Sequence, residues 1–147
     1  MKKLIKIMAV VSLIVLSISF VGCRQREAIT EAEFIRIVTE AGFAINHRDM
    51  VFTQVSSDEG VTIEFWVFFD DEMARSAFDE RAAWLDARGG AWMRRVDINA
   101  SGHNIYRGTN GGMFFSLVRI DNTLLYAVTD AENRSAAEDI LRELGYR

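Results

Sequence analysis

The chain has 147 residues, 50% apolar and 26% charged, with one cysteine, no proline and a formal net charge of −4. That length buries the core of one domain and excludes a multidomain enzyme or a two-lobed solute receptor. The absence of proline excludes Pro-rich linkers, polyproline docking segments and a cis-proline folding step.

Met1, Lys2, Lys3 and Lys6 make a basic start, and residues 7–22 carry no charge and are dominated by Ile, Val and Leu. The apolar run is shorter than the roughly 20 residues a spanning helix needs, and small residues follow it. Residues 1–22 therefore read as a secretory signal that is cleaved. The run closes on Phe20-Val21-Gly22-Cys23. This resembles the lipobox of bacterial lipoproteins, departing from it at Phe20, where leucine is commoner. The resemblance implies a diacylglyceryl group on the thiol of Cys23, cleavage before it, and fatty acylation, such as by palmitate, at the new amine. A lone cysteine forms no internal disulfide, which agrees with an acylated one.

Without residues 1–22 the charge sharpens. All three lysines are removed, and 14 arginines against 21 acidic residues leave −7. An acidic domain lacks the basic footprint of a nucleic-acid binder, so no nucleic acid is expected as a partner. Membrane contact is expected through the anchor alone. Residues 23–29 form a short lipidated tether of at most roughly 20 Å, and residues 30–147 a single globular domain.

Thr30-Glu31-Ala32-Glu33 is a capping box that opens the first helix, with Phe34, Ile37, Val38 and Ala41 on one face and Gly42-Phe43 as the stop. Strands are expected over 50–56 and 61–69, the second alternating through Val61, Ile63, Phe65, Val67 and Phe69. Asp70 or Asp71 caps a second helix that runs to Gly89-Gly90, its amphipathic pattern outlined by Met73, Ala74, Ala77, Phe78, Arg81, Trp84, Leu85 and Arg88. His47 falls in a polar loop before the first strand. Four strands follow over 91–99, 104–109, 113–120 and 123–128, the last two joined by a two-residue Asp121-Asn122 turn. Thr129-Asp130-Ala131-Glu132 has capping-box form and opens a third helix ending at Gly145, with the same stop chemistry as the first. The order α-β-β-α-β-β-β-β-α points to an α+β two-layer sandwich, a mainly antiparallel sheet with helices on one face. The mature part is also similar to small uncharacterised lipoproteins of Gram-positive bacteria at Ile63-Glu64-Phe65, over residues 119–126 and at Leu144-Gly145-Tyr146. That likeness bears on the fold.

Motifs for chemistry are sparse. His47 and His103 are isolated, and with Cys23 acylated only carboxylates remain to complete a metal site, so no metal is expected. Asp70-Asp71-Glu72 lacks the spacing of a calcium loop, and the glycines lack a phosphate-cradle pattern, so no cofactor is expected. No nucleophile elbow is present. What stands out is a sheet face carrying Trp66 and Phe68 opposite the inward row, with Tyr126, Val118 and Phe114 on the other hairpin and Arg94, Arg107 and Arg119 on neighbouring strands. Such a face is either partly buried within the domain, its Arg stems covering apolar surface and pairing Glu64 or Asp97, or it receives an envelope protein, a peptide, a glycan or a second copy of the chain. The reading is a non-catalytic binding domain, lipid-anchored on the outer face of the cell membrane. Its alternatives are a small envelope hydrolase using His103 with carboxylates, and a self-associating structural or inhibitor module.

Overall fold

The computed structural model describes residues 27–88, 94–100 and 102–147. The expected signal over 1–22, Cys23, tether residues 24–26 and the Gly89-Gly90 stop lie outside the described residues.

Helix α1 (Glu31–Glu40) begins on the expected box: the Thr30 hydroxyl accepts from the Glu33 N–H while the Glu33 side chain accepts from the Thr30 N–H. It ends in a Schellman motif. Gly42, at φ +86°, donates to the Thr39 carbonyl, and Phe43 donates to that of Val38. After α1 come three strands, β1 (Ala44–Arg48), β2 (Phe52–Ser56) and β3 (Thr62–Val67). Helix α2 (Asp71–Arg88) then leads to the far edge of the sheet. From there β4 (Arg94–Ala100), β5 (His103–Asn110), β6 (Met113–Ile120) and β7 (Thr123–Asp130) return strand by strand until β7 pairs with β3. The order is β1-β2-β3-β7-β6-β5-β4, with every neighbouring pair antiparallel. Helix α3 (Arg134–Glu143) closes the fold through a second Schellman motif, Gly145 to the Arg142 carbonyl and Tyr146 to that of Leu141.

The α+β class and the antiparallel sheet are as expected, and the element order follows the expected one apart from one added strand. That strand is β1, in the stretch read as a polar loop holding His47. Its five residues are all exposed, so it carries no alternation of buried side chains. Backbone pairing from Ala44↔Ser56 to Arg48↔Thr53 and an Asn46–Ser56 side-chain hydrogen bond hold it in place. The pairing is irregular between Ile45 and His47, a common way of blunting an edge strand.

Two further differences follow from burial. The helices occupy both faces of the sheet instead of one. On the first face α1 and α3 cover Val55, Ile63, Phe65, Val118, Ile120 and Leu125 with Phe34, Val38, Ile140 and Leu141. On the second, α2 places Phe78 and Leu85 on Tyr106, Leu117, Leu124 and Tyr126. Strands β6 and β7 are apolar on both faces, which requires cover on both. Val118 and Phe114 accordingly belong to the first core, and Phe115 and Leu117 share the second with Tyr126. Thr129 does not cap a helix either. β7 continues through it to Asp130, paired with Met113, and a 3₁₀ turn (Ala131–Asn133) without a side-chain cap precedes α3.

The carboxyl end locks the first core. Tyr146 is fully buried, meets Phe65 edge-on at 6.2 Å and shares a 2.5 Å hydrogen bond with the Thr123 hydroxyl. Burial pushes its phenol up to about 12 and does the same to Tyr126 on the opposite face. A phenol held neutral by the fold contributes stability that is complete below its unfolded value near 10 and is lost as pH rises through 12. Urea midpoints should therefore fall between pH 10 and 12, and Tyr146→Phe should flatten part of that slope; an unchanged slope contradicts the assignment.

Candidate functional site

Helix α2 has a narrow apolar stripe, Ala74, Phe78 and Leu85, and polar side chains supplement it along its length. Near its start the Asp70 carboxylate accepts from the Met73 N–H at 2.8 Å, as an N-cap does. One residue on, Asp71 pairs with Arg119 of β6. Midway, Arg81 meets Glu64 of β3 at 2.5 Å, and towards its end Asp86 accepts from the Tyr106 hydroxyl at 2.6 Å.

These contacts decide the fate of the basic residues proposed for binding. Arg119 is fully buried. Its Nε donates to Asn104 at 2.5 Å, and its Nη1 donates to the Asp121 carbonyl at 2.9 Å and to Asp71. Its Nη2 has no hydrogen-bond partner among the described residues. Arg107 lies on the other face of the sheet, with Nε on the Ser116 hydroxyl at 2.9 Å and Nη2 on the Tyr146 carbonyl at 3.3 Å. Arg94 pairs with Thr109 at the start of the edge strand β4. Arg107 and Arg119 thus lie on opposite faces of the sheet, and Arg119 is a tie inside the fold.

Trp66 and Phe68 do share a site, but α2 covers their face and leaves a groove. Trp66, Phe68, Leu124, Ala77, Glu80, Arg81 and Trp84 line a volume of about 350 Å³. Small Ala77 faces the large rings from the helix, so the helix does not fill this space. The Arg81 guanidinium sits 5.4 Å from the Trp66 ring, 5.5 Å from Trp84 and 4.8 Å from Tyr126. Its charge is met by Glu64, whose other oxygen accepts from Gln54 at 3.1 Å. Arg88 stacks on Trp84 at 4.1 Å, and Phe52 extends the aromatic row 5.0 Å from Trp66. Trp84 remains 40% exposed. Arg81, Trp84 and Arg88 fall within the amphipathic outline expected of this helix, which assigns them to no site; their i, i+3, i+7 spacing sets them on one side of it. That spacing was the available signal.

The remaining candidates fall apart spatially. His47 lies 3.5 Å from Asp49 on the edge strand β1, while His103 opens β5, paired with Ala100 and Ile120. A second cavity of about 340 Å³ lies between the α1 stop, the β2–β3 turn and α3, rimmed by Asp58, Glu59, Asp139 and Glu143. Among the described residues, no group of three or more His, Cys, Asp or Glu side chains is placed to hold a metal ion. No helix among them is long and apolar enough to cross a membrane.

The chain matches no protein family and no curated protein. Among solved structures it is similar in fold to a GTP binding regulator from Thermotoga maritima. The TM-score is 0.54 at 10% identity, over 81% of this chain and 89% of that one. At that identity the likeness concerns the arrangement of strands and helices.

The buried guanidinium gives a direct test. Removing one member of a buried pair costs about 3–5 kcal/mol, and because the Asp71 side chain is half exposed the lower end applies here. Asp71→Ala should lower unfolding free energy by about 3 kcal/mol. The double variant Asp71→Ala with Arg119→Met should lose clearly less than the sum of the singles, since it strands no charge. Additive losses in urea titrations count against the tie.

Proposed function

We propose that the chain is a non-catalytic binding domain, anchored by acylated Cys23 on the outer face of the cell membrane, which receives an apolar segment of an envelope protein in the groove between α2 and the sheet. The observation that carries the binding reading is the groove itself: two indoles and Phe68 line it, and Trp84 is incompletely buried. Exposed aromatics in a concave site are the side chains that dominate interfaces. The volume sits near the small end of ligand sites. Arg81 is already engaged by Glu64 and by three rings, which leaves few donors for sugar hydroxyls and favours an apolar peptide side chain over a glycan. The anchor rests on Phe20-Val21-Gly22-Cys23 behind an uncharged apolar run.

The two parts are tested separately on the full chain in a bacterial host. Cys23→Ser should abolish labelling by a fatty-acid probe and leave the unprocessed precursor; a mature, labelled variant overturns the anchor. A photocrosslinker at position 80, on the groove rim, should capture a protein partner in wild-type cells. Trp84→Ala should weaken capture by about 30-fold, as loss of a binding hot spot does, with far-UV dichroism unchanged. Unchanged capture, or quenching of tryptophan fluorescence by soluble cell-wall glycans, overturns the peptide groove.

A further inference from the structure

We infer that the loop tips carrying Met50 and Phe69 enter the interfacial region of the lipid bilayer, so that the domain stands on the membrane by one fixed end. This rests on the acylated Cys23 proposed above. It adds a second membrane contact made by the folded domain.

The chain itself shows which end faces the bilayer. From Cys23 to Ala28 are five residue steps, about 18 Å at full extension. Ala28 and Ile29 already pack against the first core, so tethering ends there. The first turn of α1 is fixed beside the β1–β2 loop, because the Glu31 carboxylate accepts from Arg48 Nε at 2.8 Å and from the Thr53 hydroxyl at 3.1 Å. That loop holds Met50, 95% exposed, and half-exposed Val51. The β3–α2 loop lies next to it, since the Val67 N–H donates to the Val51 carbonyl at 3.0 Å. Two residues further is Phe69, 92% exposed, and then half-exposed Met73 in the first turn of α2. Four apolar side chains thus meet water at the end of the sheet nearest the acyl chains.

Both loops are built to hold their shape. The Asp49 carboxylate accepts from the N–H groups of Val51 and Phe52, each at 2.9 Å. The Phe68 N–H donates to the Asn122 carbonyl, and the Asn122 side chain donates to the Phe68 carbonyl, each at 2.8 Å. The tips enter the interface without being reordered. The charge at this end also selects the kind of contact. Arg48 pairs with Glu31 and Asp71 with Arg119, and Asp49, Asp70, Glu72 and Asp121 leave the end acidic. An acidic rim is not drawn to anionic headgroups, so insertion of apolar side chains carries the contact, and zwitterionic lipid suits it better.

The test uses the full lipidated chain in phosphatidylcholine vesicles. Acylated Cys23 has no free thiol, so Met50→Cys, Phe69→Cys and Asp58→Cys are each labelled with an environment-sensitive nitrobenzoxadiazole dye. Asp58 lies in the β2–β3 turn at the opposite end of β2, which alone separates the two turns by about 13 Å of strand rise. Dyes at 50 and 69 should be blue-shifted and quenched several-fold more by spin-labelled phosphatidylcholine than the dye at 58. Adding Phe69→Ser should reduce quenching at 50, and vesicles rich in phosphatidylglycerol should do the same. Equal quenching at all three positions overturns the fixed end. A blue shift at 50 and 69 that grows with protein density and resists the quencher overturns it in favour of a second copy. The mass of the amino-terminal peptide separates the two readings: acyl chains without quenching at 50 and 69 overturn this inference and leave the anchor standing, whereas absent acyl chains overturn both.

Discussion

A guanidinium with no access to water organises one half of this protein. Arg119 projects from β6 onto the second face of the sheet. It ties together Asn104 on the neighbouring strand, the Asp121 carbonyl in the adjoining hairpin turn and, 48 residues away in sequence, Asp71 at the start of α2. Burying a charge is costly unless its partners are arranged around it, so the pairing tolerates little movement of any of the three. The position of α2 follows from it. The helix offers too narrow an apolar stripe to choose its own site on a broad sheet, and Arg81–Glu64 and Asp86–Tyr106 continue the alignment that Arg119–Asp71 begins. The groove at Trp66 and Trp84 is the space left by that alignment. The candidate binding site is thus a product of polar contacts more than of apolar packing.

Element ends were legible in the sequence because their chemistry is local. Thr30 with Glu33, Gly42 with Phe43, Gly145 with Tyr146, and the Asp121-Asn122 turn each act within a few residues, and each occurs as read. Asp121 adopts φ +48°, a conformation that Asp accepts more readily than most residues. Where the reading departed from the structure, the deciding partner was distant. Thr129 has the local form of a cap, but pairing of β7 with β6 keeps it in the strand. The strand β1 has no buried residue to reveal it, and it is held extended by pairing with β2, in backbone and in the Asn46–Ser56 side-chain contact.

The same reasoning applies to the site. Trp66, Phe68 and Tyr126 fall on one sheet face by alternation alone, and the apolar character of that face indicated that something covers it. Which helix does so depends on charges separated by 48 residues, Asp71 and Arg119, and no periodicity encodes that distance. An arginine inside the run Met113–Ile120 also reads equally as a surface residue with a snorkelling stem or as a buried tie. The difference lies in Asn104 and Asp71, which become its neighbours only once the sheet is formed.

The seam between β3 and β7 bears on how the chain reaches this state. Thr62 pairs with Val128 and Val67 with Thr123, so the two meanders, β1–β3 and β4–β7, become one sheet only when nearly the whole domain is present. Loop-closure entropy must be met before those long-range pairs reward it, and antiparallel folds dominated by such contacts cross their barriers slowly. Until the seam closes, β3 and β7 each expose an unpaired edge flanked by apolar side chains, the geometry that invites association between chains. The most hazardous interval in the life of this protein is therefore the delay before residues 123–130 arrive beside residues 62–67.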